Sequence, residues 1–262
     1  MRIELNGRVV GYEDTGGKQT PLILIHGFPL DRTVWSAQVR GLATDARVVA
    51  IDLRGFGESA PSNDPAATTM DAYARDVATL IDHIGIPSAV IGGVSMGGYV
   101  AMAFRRLFPS RLRGLILVDT RAGPDSADAR KGREDAAALA RSKGSAAVAA
   151  TMLPKMLTPA ADQRLRGSLD AMMSAQSVDG VVGALAAIRD RPDSMPSMAT
   201  VSVPTLVVCG VEDQLIPPTE SDALHDAIPG SRLVRIPGAA HLPNYEQPEL
   251  FNAAMREFLL AM

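Results

Sequence analysis

Cysteine, aromatics and basic runs are all scarce in this chain. Cys209 is its one cysteine, so an intrachain disulfide is excluded. Its setting in the apolar run Thr205 to Gly210 predicts a buried strand thiol rather than a reactive one. Aromatic residues make up 4% of the chain, and the long interval Arg121 to Thr200 contains none. The formal net charge is -3, with no cluster of lysine and arginine of the kind that binds nucleic acid or an anionic membrane. The start of the chain lacks an apolar signal core, and no run approaches the roughly 18 apolar residues of a membrane span. A cytoplasmic protein without nucleic-acid or membrane partners is expected. The P-loop lysine, the dinucleotide glycine spacing and any His, Cys or carboxylate cluster with metal-ligand spacing are also missing, so no cofactor and no metal are expected.

What is present is a regular alternation. Ile3 to Glu13 alternates in polarity and turns at Asn6 and Gly7, as a hairpin does. Short apolar runs then follow at Leu22–Ile25, Val48–Ile51, Ala89–Gly92, Leu115–Val118, Leu206–Val208 and Leu233–Ile236, each suited to a central strand. Helical patterns separate them at Thr33–Leu42, Met70–Ile84, Gly98–Phe108, Glu220–Ala227 and Pro248–Leu260. Repeated strand-then-helix units imply right-handed crossovers and a mostly parallel, twisted α/β sheet covered on both faces.

The rhythm stops at Thr120 and resumes near Val203. Residues 1–120 and 201–262 are therefore expected to form one α/β core, and 121–200 a helical cap inserted into it. Met152, Met156, Met172, Met173, Met195 and Met198 fall in this insertion, where they could give a pocket an aliphatic, adaptable lining or simply fill gaps between small helices.

The chemistry centres on Gly93, Val94, Ser95, Met96, Gly97, between a strand and a helix. A serine on so sharp a turn takes a strained backbone, and glycine two residues to either side relieves the crowding. The Met96 N–H then points toward a reacting carbonyl at the positive end of a helix. A serine nucleophile needs a base and a group to orient that base. His241 follows the strand Leu233–Ile236, at the edge where a parallel sheet presents reactive groups, and is the expected base. His83 and His225 lie in helical stretches and read as structural. His26 opens the loop His26, Gly27, Phe28, Pro29, which it is expected to order, with the Phe28 N–H as second oxyanion donor. Asp213 is the expected acid, Glu212 and Asp119 being its competitors. The segment Asp52 to Ser59 carries charges and glycines able to cross-brace the loop beneath the site.

With these segments in order, the chain resembles the α/β-hydrolase superfamily along nearly its whole length. Gly238 to Glu246 and the opening hairpin are most similar to the 3-oxoadipate enol-lactonase and carboxylesterase group. The resemblance implies Ser95 as nucleophile, Asp213 as acid, His241 as base, and Phe28 and Met96 as oxyanion donors. It further implies cleavage of a small or medium carboxylic ester or lactone. Ser95 stands where haloalkane dehalogenases and epoxide hydrolases carry aspartate, and Met96 where proline iminopeptidases carry tryptophan. Amidase, thioesterase, perhydrolase and carbon-carbon hydrolase chemistry share the same triad. A ligand receptor retaining the fold is the reading from outside enzymology.

Overall fold

The structure is a computed structural model that describes every residue except 63, 65 and 66. Eight strands form one sheet in the order β1-β2-β4-β3-β5-β6-β7-β8. They are β1 (Arg2–Leu5), β2 (Arg8–Asp14), β3 (Pro21–Ile25), β4 (Arg47–Ile51), β5 (Ala89–Val94), β6 (Leu112–Val118), β7 (Thr205–Gly210) and β8 (Arg232–Ile236). Asn6 and Gly7 both take positive φ, 51° and 74°, the geometry of a tight hairpin turn between β1 and β2. From β4 onward every pairing is parallel.

The continuous apolar strands are explained by burial on both faces. Ile23 and Ile25 of β3 join one hydrophobic cluster, and Leu22 and Leu24 join the other. All four are fully buried, each contributing about 1.5–3 kcal/mol by leaving water. Helices α2 (Met70–His83) and α3 (Met96–Leu107) cover the first face. The second is covered by α1 (Ser36–Gly41) and by α11 (Pro248–Leu260), with its buried Phe251, Met255 and Phe258. The helix expected over Thr33–Leu42 divides into a 3-10 turn, Arg32–Trp35, and α1. Asp31 caps that turn by accepting the Thr33 N–H, which favours the tighter start.

Between β6 and β7 the described chain forms helices and no strand. They are α4 (Ala127–Lys143), α5 (Ser145–Met156), α6 (Gln163–Ser174), α7 (Val178–Arg189) and α8 (Met195–Met198). Ser126, Asp162 and Ser177 cap α4, α6 and α7 with side-chain oxygens, each cap contributing about 1 kcal/mol. Helices α9 (Pro218–Ala227) and α10 (Pro243–Glu246) follow β7 and β8. Among the described residues, no single helix is long and apolar enough to cross a membrane.

Because the strands are parallel and in register, their carboxyl ends lie side by side. Ile25 pairs with Gly93, Gly93 with Leu117, and Leu117 with Val207. The loops carrying His26, Ser95, Asp119, Asp213 and His241 all leave from this one edge.

Candidate active site

Ser95 sits between β5 and α3 with φ 54° and ψ −115°, a conformation that L-residues avoid. The surrounding glycines show what allows it. A Cβ at Gly93 would collide with the backbone of Gly97 and Gly98, and one at Gly97 with the carbonyl groups of Ile25 and His26. The turn is held by Ser95 N–H donating to Val118 O at 2.8 Å and by the Thr120 hydroxyl donating to Ser95 O at 2.8 Å. Met96 is the first residue of α3, so its N–H belongs to the first turn, which has no partner within the helix.

His241 and Asp213 meet at 2.7 Å, Nδ1 to Oδ2. Both are buried. Asp213 Oδ1 also accepts the N–H groups of Leu215 at 2.8 Å and Ile216 at 3.1 Å. Burial alone would raise this carboxyl, but His241 and those two N–H groups outweigh it and hold its pKa below the ordinary value. Glu212, next in the chain, is exposed.

Asp119 is fully buried beside this pair, with positive φ of 40°. One ligating atom from each of Asp119, Asp213 and His241 lies within 4.8 Å of the others. Asp119 Oδ1 accepts the Gly210 N–H at 3.0 Å, whereas Oδ2 has no well-formed hydrogen bond. Desolvation, with the neighbouring Asp213 charge, pushes the Asp119 pKa well above the usual carboxylate range. By distance these groups could ligate a cation. The direct His241–Asp213 contact, with the Asp119 pKa pushed up beside it, instead suits a set of groups organised around a proton.

His26 is fully buried and has a different task. Its Nε2 lies 3.0 Å from Leu53 N, which can only donate, so Nε2 is the acceptor and Nδ1 carries the proton. That Nδ1–H donates to Gly27 O at 2.8 Å. Burial lowers the His26 pKa, against the raising effects of the Gly27 carbonyl, Asp52 and Asp31. The ring therefore ties the Gly27–Phe28 loop to the segment after β4, as the sequence suggests. That segment is itself braced: Asp52 accepts the N–H groups of Arg32 at 2.7 Å and Glu58 at 2.9 Å, and pairs with the Arg32 guanidinium.

Ser95, His241, Phe28 and Met96 line one cavity of about 80 Å³. Met152, Ile188, Leu215 and Ile216 supply apolar wall, with Tyr99 beside them. Of the six methionines in the insertion, only Met152 is among the lining residues; Met156, Met173 and Met198 are fully buried core. The wall also carries Arg121, from the loop after β6, and Arg133 of α4, which sequence reasoning missed because isolated charged residues in a polar stretch read as solvated. The signal available was Asp125, four residues after Arg121 and eight before Arg133. His83 ends α2, and His225 lies in α9 with Nδ1 2.8 Å from the Ser231 hydroxyl, both remote from the cavity lining. Cys209 is buried in β7, as expected.

The sharp strand-serine-helix turn, with a histidine and a carboxyl from later strands at the same sheet edge, coincides with a family match over residues 20–248, described as the alpha/beta hydrolase fold. The chain belongs to this family. Similar solved structures include an esterase from Thermogutta terrifontis with malate bound, 41% identical, TM-score 0.96, covering 100% of this chain and 98% of that one. The enol-lactonase of Burkholderia xenovorans is 27% identical with TM-score 0.91, covering 99% and 100% of the two chains. Among curated relatives, a dihydrolipoyllysine-residue acetyltransferase component of the acetoin cleaving system from Pseudomonas putida is 31% identical over 268 residues, covering 99% of this chain and 69% of that protein. This α/β-hydrolase thus resembles esterases and enol-lactonases, and has relatives named for acyl transfer.

Proposed function

We propose that this α/β-hydrolase cleaves a small or medium carboxylic ester or lactone through an acyl-enzyme. The observation that carries the reading is a serine at φ 54° sharing a cavity with a histidine whose other face is held by an ionised aspartate. In this reading Ser95 Oγ attacks the substrate carbonyl as His241 takes its proton. The Phe28 and Met96 N–H groups stabilise the tetrahedral oxyanion, a contribution of about 2.7–4 kcal/mol for one donor. His241 returns the proton to the leaving alkoxide, and Asp213 stabilises the imidazolium between the two transfers. Water then adds to the acyl carbonyl, giving up its proton to His241, and the acid leaves as Ser95 is reprotonated. In a lactone the alcohol and acid remain one molecule.

Residues 1–120 and 201–262 act in this reading as the catalytic body and 121–200 as the cap that selects a small-molecule substrate. The test is labelling by a fluorophosphonate together with turnover of short 4-nitrophenyl esters and simple lactones. Labelling abolished by Ser95→Ala, with kcat reduced about 10⁴-fold or more, supports the mechanism. Wild-type protein that resists the label and turns over none of these compounds overturns it in favour of a ligand-binding role.

A further inference from the structure

Three guanidinium groups converge on a single buried carboxylate at the wall of the candidate site. Asp125, with no exposed side-chain surface, accepts from Arg121 at 2.5 Å, Arg191 at 2.7 Å and Arg133 at 3.0 Å. One negative charge faces three positive ones. The other carboxylate acting on Arg121 is Glu220, a smaller contributor than Asp125. Arg191 is committed elsewhere: it is nearly fully buried, donates to Ile188 O and Gly123 O, and stacks 4.3 Å from the Tyr99 ring. Arg121 and Arg133 are the two that line the cavity with Ser95 and His241, and among the described residues no acidic side chain lines it with them.

Neither arginine is saturated by Asp125. Arg121 has one nitrogen on that carboxylate, and its buried Nε–H has no acceptor among the described residues. Arg133 reaches Asp125 through Nε, so its two terminal nitrogens are not spent on that carboxylate. A guanidinium with free N–H groups in a partly desolvated wall is a strong receptor for a carboxylate, because the bond is charge-assisted and can be bidentate. The cavity is also small, well below the roughly 300–1,000 Å³ of sites for drug-sized ligands, so a substrate carbonyl at Ser95 and a group at the arginines are separated by a short chain.

The geometry points to an anionic substrate: a short ester or lactone bearing a carboxylate remote from its scissile carbonyl, with Arg121 and Arg133 as the residues that select it. This rests on the proposed serine-hydrolase reading. It narrows that reading from esters in general to half-esters of small dicarboxylic acids and carboxylate-bearing lactones. Positive charge at the wall also favours encounter with such substrates before any contact forms.

The experiment compares 4-nitrophenyl hydrogen glutarate with 4-nitrophenyl pentanoate, which has the same acyl length and no charge. The expected result is a kcat/KM ratio of tenfold or more in favour of the glutarate, falling at least tenfold in Arg133→Gln and in Arg121→Gln and recovering in part in Arg133→Lys. The ratio is independent of how much enzyme is folded, so a variant that merely loses stability does not imitate the effect. Brisk hydrolysis of the pentanoate with no preference for the glutarate overturns the anionic assignment and leaves the serine-hydrolase reading intact. If neither ester is turned over, calorimetric titration of the wild type with glutarate decides the matter. Binding lost in Arg133→Gln upholds the carboxylate site while the hydrolase reading fails; no binding overturns both.

Discussion

Asp119 lies against Asp213 at the carboxyl ends of the adjacent strands β6 and β7, the pKa of one carboxyl pushed up and that of the other held down. Two buried carboxyls this close cannot both carry charge at low cost. The donors decide which does. Asp213 receives His241 and two backbone N–H groups, whereas the donor to Asp119 among the described residues is Gly210 N–H.

The raised Asp119 pKa means that, above the ordinary carboxylate range, the folded protein keeps a proton that the unfolded chain releases. Stability contributed there is complete below about pH 3.9 and is lost as pH rises toward the raised folded value. Asp119→Asn presents a neutral group of the same shape, with an oxygen for Gly210 N–H. Urea unfolding from pH 5 to 9 should show a flatter profile for this variant, and kcat/KM should change by less than about tenfold. Asp119→Ala strands the Gly210 N–H and should cost about 1–3 kcal/mol. Loss of activity in Asp119→Asn comparable to that in Asp213→Asn would instead make Asp119 the working acid.

His26 gives the opposite pH dependence. Its folded pKa is lowered, so below about pH 6.5 the unfolded chain takes up a proton that the folded one refuses. Stability is complete above that pH and falls as pH decreases, by at most about 1.4 kcal/mol per unit for this one group. His26→Gln should be less stable at pH 7, having lost at least one of the bonds to Leu53 and Gly27, yet show a smaller decline between pH 7 and 5. An unchanged slope would mean that another group carries the acid sensitivity.

Gly97 separates the elbow from the loop after β3 by the width of a hydrogen atom. A methyl there meets the carbonyl oxygens of Ile25 and His26, which are backbone atoms of the strand and loop that lead to Phe28. Gly97→Ala should therefore move Met96 and Phe28 apart while leaving the sheet folded. The expected loss in kcat is about 10²–10³-fold, comparable to losing one oxyanion donor, with near-native circular dichroism. Retained activity would show that the two N–H groups do not act together.

The sheet and its edge were legible because each central strand is buried on both faces and so appears as an unbroken apolar run, as Leu22–Ile25 and Leu115–Val118 do. Because these runs mark where each parallel strand ends, the loop positions of Ser95, Asp213 and His241 follow too, although β3 and β4 exchange places relative to chain order. The pocket wall was harder. Arg121 and Arg133 are brought together by Asp125, four and eight residues away, through charge pairs that no hydrophobic periodicity announces, and Arg191 joins them from just beyond α7. Asp119 was visible only as a competing acid, since its raised pKa comes from burial and from Asp213 beside it, neither of which shows in the chain order. The 3-10 start at Arg32 was hidden because the Asp52–Arg32 pairing that anchors it spans 20 residues.

The contact between Gly55 and Gly180 tests how firmly the helical insertion is seated. Gly180 lies in the first turn of α7, and a Cβ there would run into the Gly55 backbone; the reverse is equally true. The Ser177 hydroxyl donates to Gly55 O at 2.8 Å, and Gln176 accepts the Gly57 N–H at 2.9 Å, so this meeting of backbones joins the insertion to the loop braced by Asp52. Glycine to alanine within a helix ordinarily stabilises by about 0.5–1 kcal/mol. Gly167→Ala in α6, which is exposed with nothing within 4 Å of the new methyl, should show that gain in urea unfolding. Gly180→Ala should have the opposite sign, costing about 1–3 kcal/mol through overpacking, and should raise proteolysis of the insertion. Equal gains in the two variants would mean that α7 shifts away from Gly55 without cost, and that the insertion is seated by its apolar contacts alone.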